Sequence, residues 1–124
     1  MKVLVVDDDI AMLMIISKSL EQFYGFHVET VENIEAAFEK LRTNKFDVIL
    51  SDYMMDNGDG NILLARLKGT NSLRYMPVIF LTAINDDKIL KDMMAKGAKG
   101  VIFKPFIPKE LGDRILDIIN QDGL

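Results

Sequence analysis

The chain has no cysteine, a single histidine and only three prolines. Without cysteine there is no disulfide, no thiol nucleophile and no thiolate metal site. The lone histidine, His27, lies in a short strand-like run and reads as a solvated side chain rather than a ligand or base. There is no basic stripe: 15 Lys and Arg stand against 19 Asp and Glu, for a net charge of -4. Nothing therefore favours direct contact with nucleic acid. No apolar run approaches the ~20 residues that span a bilayer. A lysine followed at once by a strand, with no small-residue cleavage site, does not make a signal peptide. The expectation is a cytoplasmic protein with no membrane partner. A P-loop is missing, and Gly58-Asp59-Gly60 is followed by Leu63 where a dinucleotide fingerprint needs a third glycine. Linkers, low-complexity stretches and tandem repeats are missing too. A chain of 124 residues then suits one compact domain, 1–124.

What is present is a regular alternation. Hydrophobic residues make up 49% and charged residues 27% of the chain, as in ordinary globular domains. Short apolar runs at 2–6, 26–31, 46–51, 78–81 and 100–103 read as strands. Between them lie helical patterns: Ile10 to Tyr24, with Leu13, Ile16, Leu20 and Phe23 inward and Gly25 as the stop; Asn33 as N-cap to about Arg42; Asn61 to Lys68, with Ile62, Leu63 and Leu67 inward; and a helix opened by Asn85-Asp86-Asp87, with Ile89, Leu90, Met93 and Met94 inward. A last helix begins near Pro108, with Leu111, Ile115, Ile118 and Ile119 inward; Gly112 weakens it by up to ~1 kcal/mol relative to Ala. Met12, Met14, Met93 and Met94 read as packing. Strand alternating with helix predicts an α/β fold, a parallel sheet with helices on both faces.

The chemistry gathers at the strand ends. The first strand runs into Asp7-Asp8-Asp9, the central strand into Asp52, the next into Thr82 and the last into Lys104-Pro105. In open α/β sheets the carboxyl edge is where ligands bind. Acids also suit a helix N-terminus, but that role accounts for one aspartate, not for Asp7, Asp8 and Asp52 together. Three carboxylates held close repel, and a hard divalent ion such as Mg²⁺ relieves them while keeping positions for water and phosphate. Lys104 reads as the counter-charge to an anion, and Thr82 as a hydroxyl donor to it. That set suits phosphoryl transfer, in which positioning and charge neutralisation dominate.

The runs VLVVDDD, VILSD, VIFLTA and KPF, in this order and spacing, resemble those of response-regulator receiver domains of two-component signalling. The resemblance covers essentially the whole chain. It implies a flavodoxin-like, doubly wound five-stranded sheet of order 2-1-3-4-5. It implies that Asp52 accepts a phosphoryl group from a sensor histidine kinase or phosphotransfer protein. Asp8, Asp52 and the backbone carbonyl of Met54 would hold Mg²⁺ directly and Asp7 through water. Thr82 and Lys104 would bind phosphoryl oxygens, and Lys104-Pro105 would be cis. Such a module is not an enzyme acting on a separate substrate; it promotes its own phosphorylation and dephosphorylation. Its output, a dimer or effector contact, would form on the fourth helix, last strand and last helix. Such a chain is either a stand-alone receiver or a part of a longer regulator.

Some positions depart from the family pattern. The loop after the acceptor carries Asp56 and Gly58 where proline and methionine are usual, so Asp56 adds a carboxylate near the metal. The variable positions beside the site are Met54 and Ile84, both apolar. Val101 stands where the switch aromatic is expected, with Phe103 on the same strand face. Two alternatives share these residues. Asp7-Asp8-Asp9 also satisfies the D-x-D opening of a small phosphatase of the haloacid-dehalogenase type, although Ala11 stands where Thr or Val is usual and no cap domain fits. A degenerate receiver acting only by binding partners is the other.

Overall fold

The computed structural model describes residues 1–55 and 59–122. The apolar runs form five strands: β1 Lys2–Val6, β2 His27–Val31, β3 Val48–Asp52, β4 Val78–Thr82 and β5 Gly100–Phe103. All pair in parallel in the order β2-β1-β3-β4-β5. Strands covered on both faces are near-continuous apolar runs. Accordingly all of β4 and the first four residues of β3 are buried, whereas the edge strand β2 buries only Val31.

The helices are α1 Ile10–Tyr24, α2 Ile34–Thr43, α3 Gly60–Lys68, α4 Asp87–Ala95 and α5 Leu111–Ile119. Local chemistry sets their ends. Asp9 caps α1 by accepting the Met12 N–H at 3.2 Å, and Gly25 ends it in the left-handed region at φ 67°, where a Cβ would be strained. Asn33 caps α2 through Ala36 N–H at 2.7 Å. On one face of the sheet, α1 and α5 pack Leu13, Ile16, Leu20, Leu111 and Ile115 on Val5, Leu50, Ile79 and Ile102. On the other, α2, α3 and α4 pack Ala37, Leu41, Leu63, Leu67 and Met93 on Leu4, Ile49 and Phe80. Each fully buried Leu or Ile contributes roughly 1.5–3 kcal/mol, so these two layers hold the strand ends in place. Among the described residues no helix is long and apolar enough to cross a membrane.

Several inward assignments are corrected. Phe23 is half exposed, with Lys109 Nζ 5.9 Å from its ring centroid. Ile62 is exposed and Leu64 is buried instead. In α4 only Met93 is buried, while Ile89 and Met94 face solvent; Met14 in α1 is exposed as well. Successive helical residues are turned by about 100°. Met14 and Met94 each follow a buried neighbour, Leu13 or Met93, and are turned away with the polar face. Pro108 opens a single 3-10 turn, Pro108–Glu110, and α5 itself starts at Leu111.

Candidate functional site

Parallel neighbours bring their carboxyl ends to one rim. Val6 pairs with Ser51, Asp52 with Leu81 and Thr82 with Phe103. Asp7, Asp52, Thr82 and Lys104 therefore stand on adjacent strand ends. Backbone bonds prolong the ladder past the strands: Asp7 N–H donates to Val31 O at 3.1 Å, and Lys104 N–H donates to Thr82 O at 2.9 Å. The Lys104-Pro105 peptide is cis, as the resemblance implied.

The three sequential aspartates separate by task. Asp9 is spent on the helix cap. Asp7, Asp8 and Asp52 each bring one carboxylate oxygen within 4.8 Å of the others. Asp7 is buried at 1% exposure. Its Oδ1 accepts the Asp9 N–H at 2.9 Å, and its Oδ2 is buried without a hydrogen-bond partner. Lys104 Nζ lies 3.5 Å from Asp52 Oδ1 and 4.0 Å from Asp7 Oδ2, the second distance being beyond hydrogen-bond reach. Burial holds the Asp7 and Asp52 carboxyls above their usual range. The Lys104 ammonium and a backbone N–H (Asp9 for Asp7, Met54 for Asp52) pull them back down. One ammonium does not offset three carboxylates. An orphaned buried oxygen among hard oxygen donors fits a hard divalent cation, and the cluster has the residues to hold one.

Thr82 is buried at 2% exposure, and its Oγ1 accepts the Ile84 N–H at 3.0 Å. That leaves the hydroxyl proton for an anion at the rim. Ser51, also buried, is satisfied locally by donating to Asp52 O at 2.9 Å. Met54 has an exposed side chain and Ile84 a half-buried one. Asp56 and Gly58 lie outside the described residues. The residues missed in the sequence are Tyr53, Gly60 and Asn61, which tie the residue after Asp52 to the start of α3; the available signal was a lone aromatic directly after a strand end, ahead of an Asp/Gly-rich turn.

A profile of the response regulator receiver domain matches residues 3–116. The chain belongs to the response regulator receiver family. That membership separates the competing readings of Asp7–Asp9 in favour of a receiver. The receiver is 37% identical over 115 residues to "Probable transcriptional regulator ycf29" of Porphyra purpurea, covering 89% of this chain and 54% of that one. It is 32% identical over 120 residues to the phosphate regulon transcriptional regulatory protein PhoB of Escherichia coli, covering 97% of this chain and 52% of that one. The chain thus spans about half the length of these curated relatives. Among solved structures, the chemotaxis response regulator CheY4 of Vibrio cholerae superposes with a TM-score of 0.86 at 30% identity, over 94% of this chain and 97% of that one. The receiver domain of the Francisella response regulator 1452 gives 0.85 at 30% identity, over 98% of both chains. The five-stranded flavodoxin-like sheet of order 2-1-3-4-5 in this chain is thus shared with solved response regulators.

Proposed function

We propose that residues 1–124 act as a single receiver domain in the cytoplasm and that Asp52 is its phosphoacceptor. The donor is the phosphohistidine of a sensor kinase or phosphotransfer protein. The observation that carries this reading is Lys104 Nζ at 3.5 Å from Asp52 Oδ1, beside the acidic cluster of Asp7, Asp8 and Asp52. Asp7, Asp8, Asp52 and the Met54 carbonyl would hold Mg²⁺, which neutralises charge on the phosphoryl oxygens when bound.

In the transfer, an oxygen of ionised Asp52 attacks phosphorus and the P–N bond of the donor breaks, its electron pair leaving with the imidazole. An acyl phosphate results. Lys104 favours the ionised carboxylate beforehand and pairs with a phosphoryl oxygen afterwards. The Thr82 hydroxyl donates to another. Ile84 and Met54 flank the path by which water would reach phosphorus. The output surface is α4, β5 and α5, where Ile89, Met94 and Phe103 are exposed.

Intact-mass analysis after treatment with a small phosphodonor and Mg²⁺ is expected to show one added phosphoryl group. Asp52→Asn, or excess chelator, is expected to abolish it. An undiminished yield in Asp52→Asn would overturn the assignment.

A further inference from the structure

Tyr53 directly follows the acceptor, yet it takes no part in the chemistry at the rim. It is 5% exposed, and its ring meets Phe80 edge-on with centroids 5.1 Å apart. Its main chain and side chain are both tied to the start of α3. The Tyr53 carbonyl accepts the Gly60 N–H at 2.7 Å. The Tyr53 hydroxyl accepts from Asn61 Nδ2 at 2.9 Å. Asn61 is itself fixed, its N–H donating to Asp59 Oδ1 at 2.9 Å. A Cβ on Gly60 would lie 2.8 Å from the Tyr53 ring and would also collide with Phe80, so glycine is what lets the two rings reach α3. Asn61 Oδ1 is buried without a partner. Turning the amide over would let the phenol donate to that oxygen, so the link survives either orientation.

Packing alone does not need the hydroxyl, since phenylalanine fills the same volume. A buried phenol does need a partner, and the one it has, Asn61, stands at the start of α3. The next residue along, Met54, has its backbone N–H on the Asp52 carboxylate side, where it favours the charged form. Rotation of Tyr53 would swing that N–H and the Met54 carbonyl together. We propose that Tyr53 is a positioning residue: its hydrogen bond to Asn61 holds the Met54 backbone in register with Asp52 and thereby sets the affinity of the acidic cluster for a divalent cation. This inference rests on the assignment of that cluster as the cation site.

The test compares Tyr53→Phe, Asn61→Ala and the double variant, following phosphorylation by acetyl phosphate across a Mg²⁺ titration, with Mg²⁺ binding measured separately by calorimetry. Loss of one hydrogen bond predicts a half-saturating Mg²⁺ concentration raised about three- to ten-fold. The same rise is expected in each single variant and in the double, with the rate at saturating Mg²⁺ unchanged. A wild-type half-saturation in Tyr53→Phe overturns the proposal, even if its melting midpoint falls, because that is a packing role. An additive double variant overturns it as well. Should Tyr53→Phe fail to fold, Asn61→Ala, at a partly exposed position, decides by the same criterion. Asp8→Asn separates the two layers of argument. If it abolishes Mg²⁺ binding while Tyr53→Phe leaves binding unchanged, the site stands and the positioning role falls. If Asp8→Asn binds Mg²⁺ as wild type does, the site assignment itself is wrong.

Discussion

Asp7 and Asp52 are asked to be charged in a place that disfavours charge. Burial is the largest influence on each, and it raises both carboxyls above the ordinary value of 3.8. A carboxyl with a raised folded value binds more protons in the folded chain than in the unfolded one. Its stabilising contribution is fully present below about the unfolded value and is lost as pH rises through the folded one. In chelator, the receiver is therefore expected to lose stability as pH climbs from the acid range through these raised values toward neutral. Asp7→Asn and Asp52→Asn are each expected to flatten that decline and to be more stable than wild type at neutral pH. Mg²⁺ should restore the wild type at neutral pH by mass action, by about 2.7 kcal/mol at a hundredfold excess over Kd. Denaturant unfolding at several pH values, with and without Mg²⁺, measures all three. A wild-type slope in both variants would show that these carboxyls carry no such penalty.

Among the elements, α5 shows how a local rule is reversed by a neighbour. Glycine inside a helix costs up to ~1 kcal/mol relative to alanine, so Gly112→Ala should stabilise an isolated α5. In the fold, Gly112 is buried and a Cβ there would press into the Tyr24 ring. Tyr24 in turn donates its hydroxyl to the Lys109 carbonyl, locking the end of α1 over the start of α5. Overpacking costs about 1–3 kcal/mol, which exceeds the propensity gain. Gly112→Ala is expected to lower the denaturant midpoint with an unchanged m value. In a Tyr24→Ala background the same change is expected to be neutral or stabilising, since the ring is gone. Equal effects in the two backgrounds would rule out this contact as the reason for glycine.

Over the whole molecule, signalling through the acceptor proposed at Asp52 would require that a phosphoryl group there favour one of two arrangements, by no more than its differential binding to them. Val101 is β-branched, with few χ1 states, and is half buried against the α2-α3-α4 side of the sheet. It cannot make the swing that an aromatic makes in the family. Phe103 is 42% exposed and is the ladder partner of Thr82, so the two side chains share a sheet face as neighbours. Movement of Thr82 toward a phosphoryl group would be felt first at Phe103, then at α4, which buries only Met93 along its length. Structures with and without a phosphoryl mimic are expected to differ in the Phe103 rotamer or in the position of α4. Superimposable Thr82 loops, α4 helices and Phe103 rotamers would send the output through another face.

The alternation of five strands with five helices, the ends set by Asn33 and Gly25, and the gathering of acids, Thr82 and Lys104 on one rim were legible along the chain. Each depends on periodicity or turn chemistry within a few residues, and parallel pairing then has little choice about which ends meet. The rotation of the helices was less legible. Helices that carry apolar residues on more than one side have several plausible inward stripes, and contact with the sheet selects one; hence Phe23, Ile62 and Met94 face outward. Relations between distant residues were not legible at all. That Asp7 Oδ2 is orphaned, that Gly112 exists for Tyr24 and that Tyr53 is held by Asn61 follow from distances across the fold, and no spacing along the chain encodes them.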